Sequence, residues 1–167
     1  ISEYAAEQRS FVPLKSVPKI VINSFLSAED KNFYNHIGID FTSILRAAKR
    51  NINNLGSRPE GASTITQQVA KNFFLSREVS YKRKIKEILL ALRIEQILEK
   101  DRILELYLNQ IYLGFRSYGI AAASLNYFNK SLNELTIAEA AFLAALPKAP
   151  NNYHPIRKKN SAIARRN

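Results

Sequence analysis

Helical periodicity dominates the chain, and it begins at Ile20, where Ile22, Phe25 and Glu29 fall at i, i+3 and i+7 of one face. Glu29 therefore stands at the C-terminal end of an apolar stripe, after Pro18 at the predicted first position of the helix. Asp40 has the form of an N-cap for a second helix, with Ile44, Leu45 and Ala48 on one side and Arg46, Lys49 and Arg50 on the other. Asn51 to Gly61 is a loop by its asparagines, glycines and Pro59. It leads to a third helix for which Ser63 is the expected cap. Ser80 opens the longest predicted helix, Tyr81 to about Lys100, whose apolar positions cover nearly the whole circumference and predict a central buried helix.

Asp101 is read as the cap of the next helix, with Leu104, Leu108 and Ile111 on its core face and Gly114 closing it. A further apolar helix covers about Tyr118 to Phe128, and Asn129 suits a left-handed C-cap. Ser131 with Glu134 and Thr136 with Glu139 are overlapping capping boxes that introduce a core helix over Ala138 to Leu146, ended by Pro147 and Pro150. No segment shows convincing strand alternation, so the expected class is all-α. The division predicted is a connecting arm over 1–19, one domain over 20–157 and a basic tail over 158–167, which reads as the start of a linker.

Composition adds one departure from an ordinary globular chain. Lys and Arg outnumber Asp and Glu by 25 to 14, a net charge of +11, which favours anionic partners: nucleic acid, phosphate-bearing substrates or an acidic membrane surface. Cysteine is absent, so neither disulfides nor thiolate metal sites are available. No apolar run approaches the roughly 20 residues that span a bilayer, so any anchor helix is expected outside this sequence.

Three stretches concentrate chemistry. In Glu29 to Asp40, apolar surroundings and the negative helix end both act to raise a carboxylate's pKa, as a general base requires; a solvated helix end is the plainer reading of the same position. Around Ser63, hydroxyls and amides crowd the first turns ahead of Lys71, an arrangement that suits phosphate and equally suits a capped polar helix. On the long helix, Arg83 and Glu87 lie at i and i+4 inside an apolar arc beside a basic stripe of Lys82, Lys86 and Arg93. Isolated charges are costly to bury, so these two must pair or border a polar cleft.

Taken in order, five blocks resemble glycosyltransferase family 51, the peptidoglycan glycosyltransferases found alone or as the N-terminal part of class A penicillin-binding proteins. They are Glu29-Asp30-x-x-Phe33-x-x-His36-x-Gly38-x-Asp40, Gly61-Ala62-Ser63-Thr64-Ile65-Thr66-Gln67-Gln68, Arg83-Lys84-x-x-Glu87, Ile103-Leu104-Glu105-x-Tyr107-Leu108-Asn109, and Ala141 to Pro150 with Leu146-Pro147-x-Ala149-Pro150. Two departures stand out: Phe115-Arg116-Ser117 where smaller residues are common, and Asn129 where glycine often precedes the equivalent of Lys130.

The resemblance implies an all-α, lysozyme-like fold with a larger lobe and a smaller membrane-proximal lobe around a cleft. It implies inverting transfer of a growing glycan from its lipid pyrophosphate to the 4-hydroxyl of lipid II. Glu29 matches the catalytic base. Glu87 matches a second glutamate that assists the leaving pyrophosphate directly or through a divalent cation, Mg or Mn. Asp30, Phe33, His36, Ser63, Thr64, Gln67, Gln68, Lys71, Arg83, Lys84, Lys86 and Asn109 match positions that bind substrate or shape its pocket. The partners implied are lipid II, the lipid-linked glycan and the membrane surface, with the Asp40 to Asn54 segment as a membrane contact on the outer face of a bacterial cytoplasmic membrane. The basic RRN ending resembles the junction to a transpeptidase domain, and other cell-wall synthesis proteins are expected partners. One rival reading is a hydrolase or lytic enzyme of the same polymer, since two carboxylates beside a cleft also describe a glycosidase. A nucleic-acid-binding module is suggested by charge alone, and no nucleic-acid motif accompanies it.

Overall fold

The computed structural model describes residues 8–53, 61–75, 78 and 80–147. The predicted basic tail, most of the Asn51 to Gly61 loop and the end of the fifth block, including Pro150, lie outside the described residues. The described elements are helical, as expected: α1 (Lys19–Glu29), α2 (Phe41–Asn53), α3 (Ile65–Phe74), α4 (Tyr81–Ile97), α5 (Lys100–Gln110), α6 (Ile120–Phe128) and α7 (Ile137–Ala145). They are joined by one parallel pair of two-residue strands, β1 (Gln8–Arg9) and β2 (Ser117–Tyr118), which period-2 patterning is too short to reveal. Two compact units divide the chain, one from residues 1–28 with 104–167 and the other Glu29–Ile103.

The first unit is an apolar core around α6 and α7. Phe25 of α1 is fully buried and meets Tyr107 edge to face at 6.3 Å between ring centroids, while Leu104, Leu108, Leu113, Ile120 and Leu143 have no exposed surface or nearly none. Removing a buried aromatic of this kind costs about 3–5 kcal/mol. Gly119 has φ +82, and a Cβ there would lie 2.6 Å from the Asn109 carbonyl oxygen. Only glycine permits that approach. The unusual Phe115-Arg116 pair occupies the centre of a tight turn, both residues left-handed at φ 48 and 58, closed by Ser117 N donating to Gly114 O at 2.8 Å. The turn delivers Ser117 to its pairing with Gln8.

Asn109, expected at the substrate, belongs to this unit and ties down the N-terminal arm. Its side-chain oxygen accepts from Val12 N at 2.7 Å, and its nitrogen donates to Val12 O and Glu105 O. A side-chain amide offers just such a paired donor and acceptor to an extended backbone.

Capping followed the sequence closely but not everywhere. Asp40, Ser80, Thr136 and the left-handed Asn129 take the expected positions. The cap of α3 is Thr64, not Ser63: Thr64 Oγ1 accepts from Gln67 N at 3.2 Å. Pro18 precedes α1 rather than beginning it, its carbonyl accepting from Ile22 N. The Ser131 box heads a short 3-10 turn, Leu132–Glu134, and only the Thr136 box opens α7. The helix expected to run to Lys100 stops at Ile97, and Asp101 lies in the first turn of α5 instead of capping it.

The burial expected for α4 is corrected. Its buried residues are Glu87, Ala91 and Ile94, whereas Tyr81, Ile85, Leu89 and Ile97 are exposed. An all-round apolar pattern produces a buried helix only where neighbours cover every side, and within its unit α4 packs chiefly along α3.

Candidate active site

Glu29 is the last residue of α1, half-buried, and its Oε2 accepts from Gln68 Nε2 at 2.8 Å. Gln68 is on the first turn of α3, so the carboxylate is held from a helix 39 residues later in sequence. The turn after Glu29 is strapped to the same helix. Asp30 is buried, and its Oδ2 accepts from Ile65 N, the first residue of α3, at 2.9 Å. Thr64 Oγ1 donates to Gly38 O at 2.7 Å. Thus one hydroxyl caps the helix and ties it to the end of the first block.

His36 fixes Asp30 from the other side. Its Nδ1 accepts from Gly38 N at 3.0 Å, which leaves Nε2 to carry the proton and donate to the Asp30 carboxylate, 2.9 Å away. Phe33, almost wholly buried, meets the rings of His36 and Tyr34 edge to face. Gly38 has φ +93, and a Cβ would lie 3.0 Å from Ala91 O of α4, so the turn rests against that helix only because the residue is glycine.

Asp40 ends the turn and begins α2. Burial by itself would push its pKa up, but hydrogen bonds from the Ser43 and Thr42 hydroxyls, Ser43 N and Asn32 Nδ2 outweigh this and hold the carboxyl well below the usual range.

The second cluster surrounds Glu87, 3% exposed on α4. Its Oε2 accepts from Arg83 Nη1 at 2.7 Å, and its Oε1 accepts from Lys84 Nζ. Lys84 reaches across to α3, donating to Ser63 Oγ at 2.9 Å and Gln67 Oε1 at 3.2 Å. The pairing expected between Arg83 and Glu87 is present, and Lys84 completes it. Arg83 Nε is buried with no partner among the described residues, a donor left over in a site of concentrated positive charge. Lys71 and Lys86 are exposed on the same unit.

Glu87 offers one carboxylate with both oxygens already bound by cations, and among the described residues no three His, Asp or Glu side chains come together. That donor set does not form a complete metal cage of protein side chains; a divalent ion here would have to share Glu87 with a substrate phosphate.

Of the predicted residues, Glu29, Asp30, Phe33, His36, Ser63, Thr64, Gln67, Gln68, Lys71, Arg83, Lys84, Lys86 and Glu87 all fall in the Glu29–Ile103 unit, and Asn109 does not. Asp30, Phe33, His36 and Thr64 are engaged within the protein as framework. A sequence profile of the transglycosylase family matches residues 1–167. The chain belongs to the transglycosylase family.

Relatives agree. Penicillin-binding protein 1A of Rickettsia typhi is 57% identical over 99% of this chain and 21% of that protein, and its namesake from Neisseria gonorrhoeae is 54% identical over 93% and 19%. A crystal structure of penicillin-binding protein 1A from Haemophilus influenzae matches 96% of the chain and 14% of its own length, at 30% identity and a TM-score of 0.52. The chain thus spans about a fifth of the length of the curated relatives it matches.

Two residues that support this candidate site escaped the sequence. Glu95 Oε1 accepts from Thr66 Oγ1 at 2.6 Å and from Lys100 Nζ at 2.7 Å, and Lys100 Nζ also donates to His36 O at 2.6 Å. One signal was available once the break before α5 is known: Lys100 is the first residue of that helix, where the dipole disfavours a cation, so a specific partner must hold it.

Proposed function

We propose that this chain polymerises lipid II into β-1,4 glycan, transferring the growing strand from its lipid pyrophosphate to the 4-hydroxyl of lipid II with inversion. The observation that carries this is the division of labour on the first turns of α3. Gln68 holds the Glu29 carboxylate, while its neighbour Gln67 meets the Lys84–Glu87–Arg83 cluster.

In this reading Glu29 takes the proton from the acceptor hydroxyl as that oxygen bonds to the anomeric carbon. The C–O bond to pyrophosphate breaks on the opposite face. The negative charge that develops there is met by Arg83 and Lys84, with Lys71 and Lys86 exposed on the same unit. Glu87 keeps the two cations from repelling each other before the substrate arrives. Its part is electrostatic, and no step requires a metal between it and the pyrophosphate.

The membrane supplies both substrates, and α2 suits its surface. Phe41, Ile44, Leu45 and Ile52 are exposed along that helix, with Lys49 at the edge of that face and Arg46 and Arg50 on the other side. Such a helix rests its apolar side chains among acyl chains and its cations on anionic headgroups. Among the described residues no helix is long and apolar enough to cross a membrane.

The test is incubation of the protein with lipid II in detergent or vesicles. Glycan polymer and released lipid pyrophosphate are expected from the wild type, and neither from Glu29→Gln, whose fold is retained. Cleavage of preformed glycan without polymer would replace transfer by hydrolysis, and near-normal polymerisation by Glu29→Gln would remove Glu29 as base.

A further inference from the structure

We propose that Lys100, through its contacts to His36 and Glu95, is a positioning residue for Glu29; the proposal rests on the transferase reading above. Two separate supports hold the segment that carries Glu29. One is the turn itself, in which His36 donates to Asp30, the residue next to Glu29. The other is the start of α3, which receives Asp30 at Ile65 N and presents Gln68 to the Glu29 carboxylate.

Lys100 is where these supports meet. Its ammonium donates to the backbone carbonyl of His36 and lies 4.6 Å from the centre of the Phe33 ring, so it grips the turn at both ends of its 3-10 segment. The same ammonium pairs with Glu95 Oε1, and that oxygen also accepts from Thr66, a fully buried residue of α3. A carboxylate oxygen that accepts from both a cation and a buried hydroxyl fixes the distance between them. Asp101, the next residue, accepts from Tyr34 OH at 3.0 Å, so the first turn of α5 holds the 33–36 turn at a further point. The Lys100 side chain is 20% exposed and Glu95 9%, so solvent weakens this pair little.

Helix α5 needs none of this for its own sake. A cation at a helix N-terminus opposes the dipole, and the contacts Lys100 makes lie on the Glu29 turn and, through Glu95, on α3. Its removal should therefore loosen the presentation of Glu29 more than it weakens substrate binding, because the Arg83–Lys84–Glu87 cluster does not include it.

The experiment compares Lys100→Met and Lys100→Arg with wild type in the full-length protein. With lipid II, Lys100→Met is expected to lower kcat about tenfold to a hundredfold, the loss of one charge-assisted contact, with KM changed less than threefold. Lys100→Arg, which keeps charge and donors, should recover at least a third of the lost rate. Hydrogen exchange by mass spectrometry should show amides of residues 33–38 exchanging about tenfold faster or more in Lys100→Met, with α6 and α7 unchanged. A kcat within threefold of wild type, a loss carried by KM, or no recovery in Lys100→Arg would each overturn the positioning role. So would unchanged exchange over 33–38. Should the wild type fail to polymerise lipid II, the transferase reading falls, and the exchange result alone decides whether Lys100 holds this turn.

Discussion

Replacing Glu87 by Gln removes the one negative charge that two neighbouring cations share. Arg83 and Glu87 are 18% and 4% exposed as side chains, so their contact at 2.7 Å is that of a mostly buried, charge-assisted pair, to which about 1.5–3 kcal/mol is attributable. Lys84 is 39% exposed, and solvent screening reduces its contact to about 0.2–1 kcal/mol. Gln keeps one carbonyl oxygen for one of the two donors, which places the expected loss near the low end, about 2 kcal/mol. For a domain of this size that is a fall in Tm of about 4–8 °C.

The same change has an opposite effect on anions. With their counter-charge gone, Arg83 and Lys84 present more positive potential to the position that the leaving group is proposed to occupy. Added inorganic pyrophosphate should therefore raise the Tm of Glu87→Gln by more than it raises that of wild type, while turnover of lipid II falls by about tenfold or more. Thermal unfolding across a pyrophosphate titration reads both effects. An unfolding temperature within about 1 °C of wild type, together with equal stabilisation by pyrophosphate, would refute the reasoning, because a buried carboxylate holding two cations cannot be neutral to both measurements.

Two further outcomes follow from the geometry. Asp40 has a depressed native pKa, so its stabilisation is complete above the ordinary carboxylate value of about 4 and is lost as pH falls through the native value. Asp40→Asn should be less stable than wild type by a constant margin of about 1–2 kcal/mol between pH 5 and 8, with the gap closing in acid; a gap that widens on acidification would contradict this. On α2, Phe41→Ser with Leu45→Ser should weaken flotation with anionic vesicles at least tenfold, and should leave the unfolding temperature unchanged, since both side chains are exposed. Undiminished flotation would locate the membrane contact elsewhere.

How legible the site was depended on the reach of each interaction. The Arg83–Glu87 pair lies one helical turn apart, and an apolar arc with two opposite charges in it left few other solutions. Glu29, Ser63 and Lys84 were each identified through their blocks, yet the bonds that unite them, Gln68 to Glu29 and Lys84 to Ser63, join residues 39 and 21 positions apart. Ser63 and Thr64 illustrate the limit at short range. Both are good caps by type, and the choice fell to Thr64, whose hydroxyl donates to Gly38 O while accepting from Gln67 N.

By itself, then, the sequence determined the helical class, most caps, the order of the blocks and the identity of the chemical groups. These depend on periodicity and on hydrogen bonds that close within about four residues, and such information is local by nature. Only the tertiary structure decided which apolar faces are covered, as α4 and α2 show, and that Asn109 anchors the N-terminal arm. It also decided that Lys100 and Glu95 stand behind the Glu29 turn, through contacts 64 and 29 residues long. A charged side chain offers the same donors or acceptors wherever it sits, and its partner is chosen by how the helices pack.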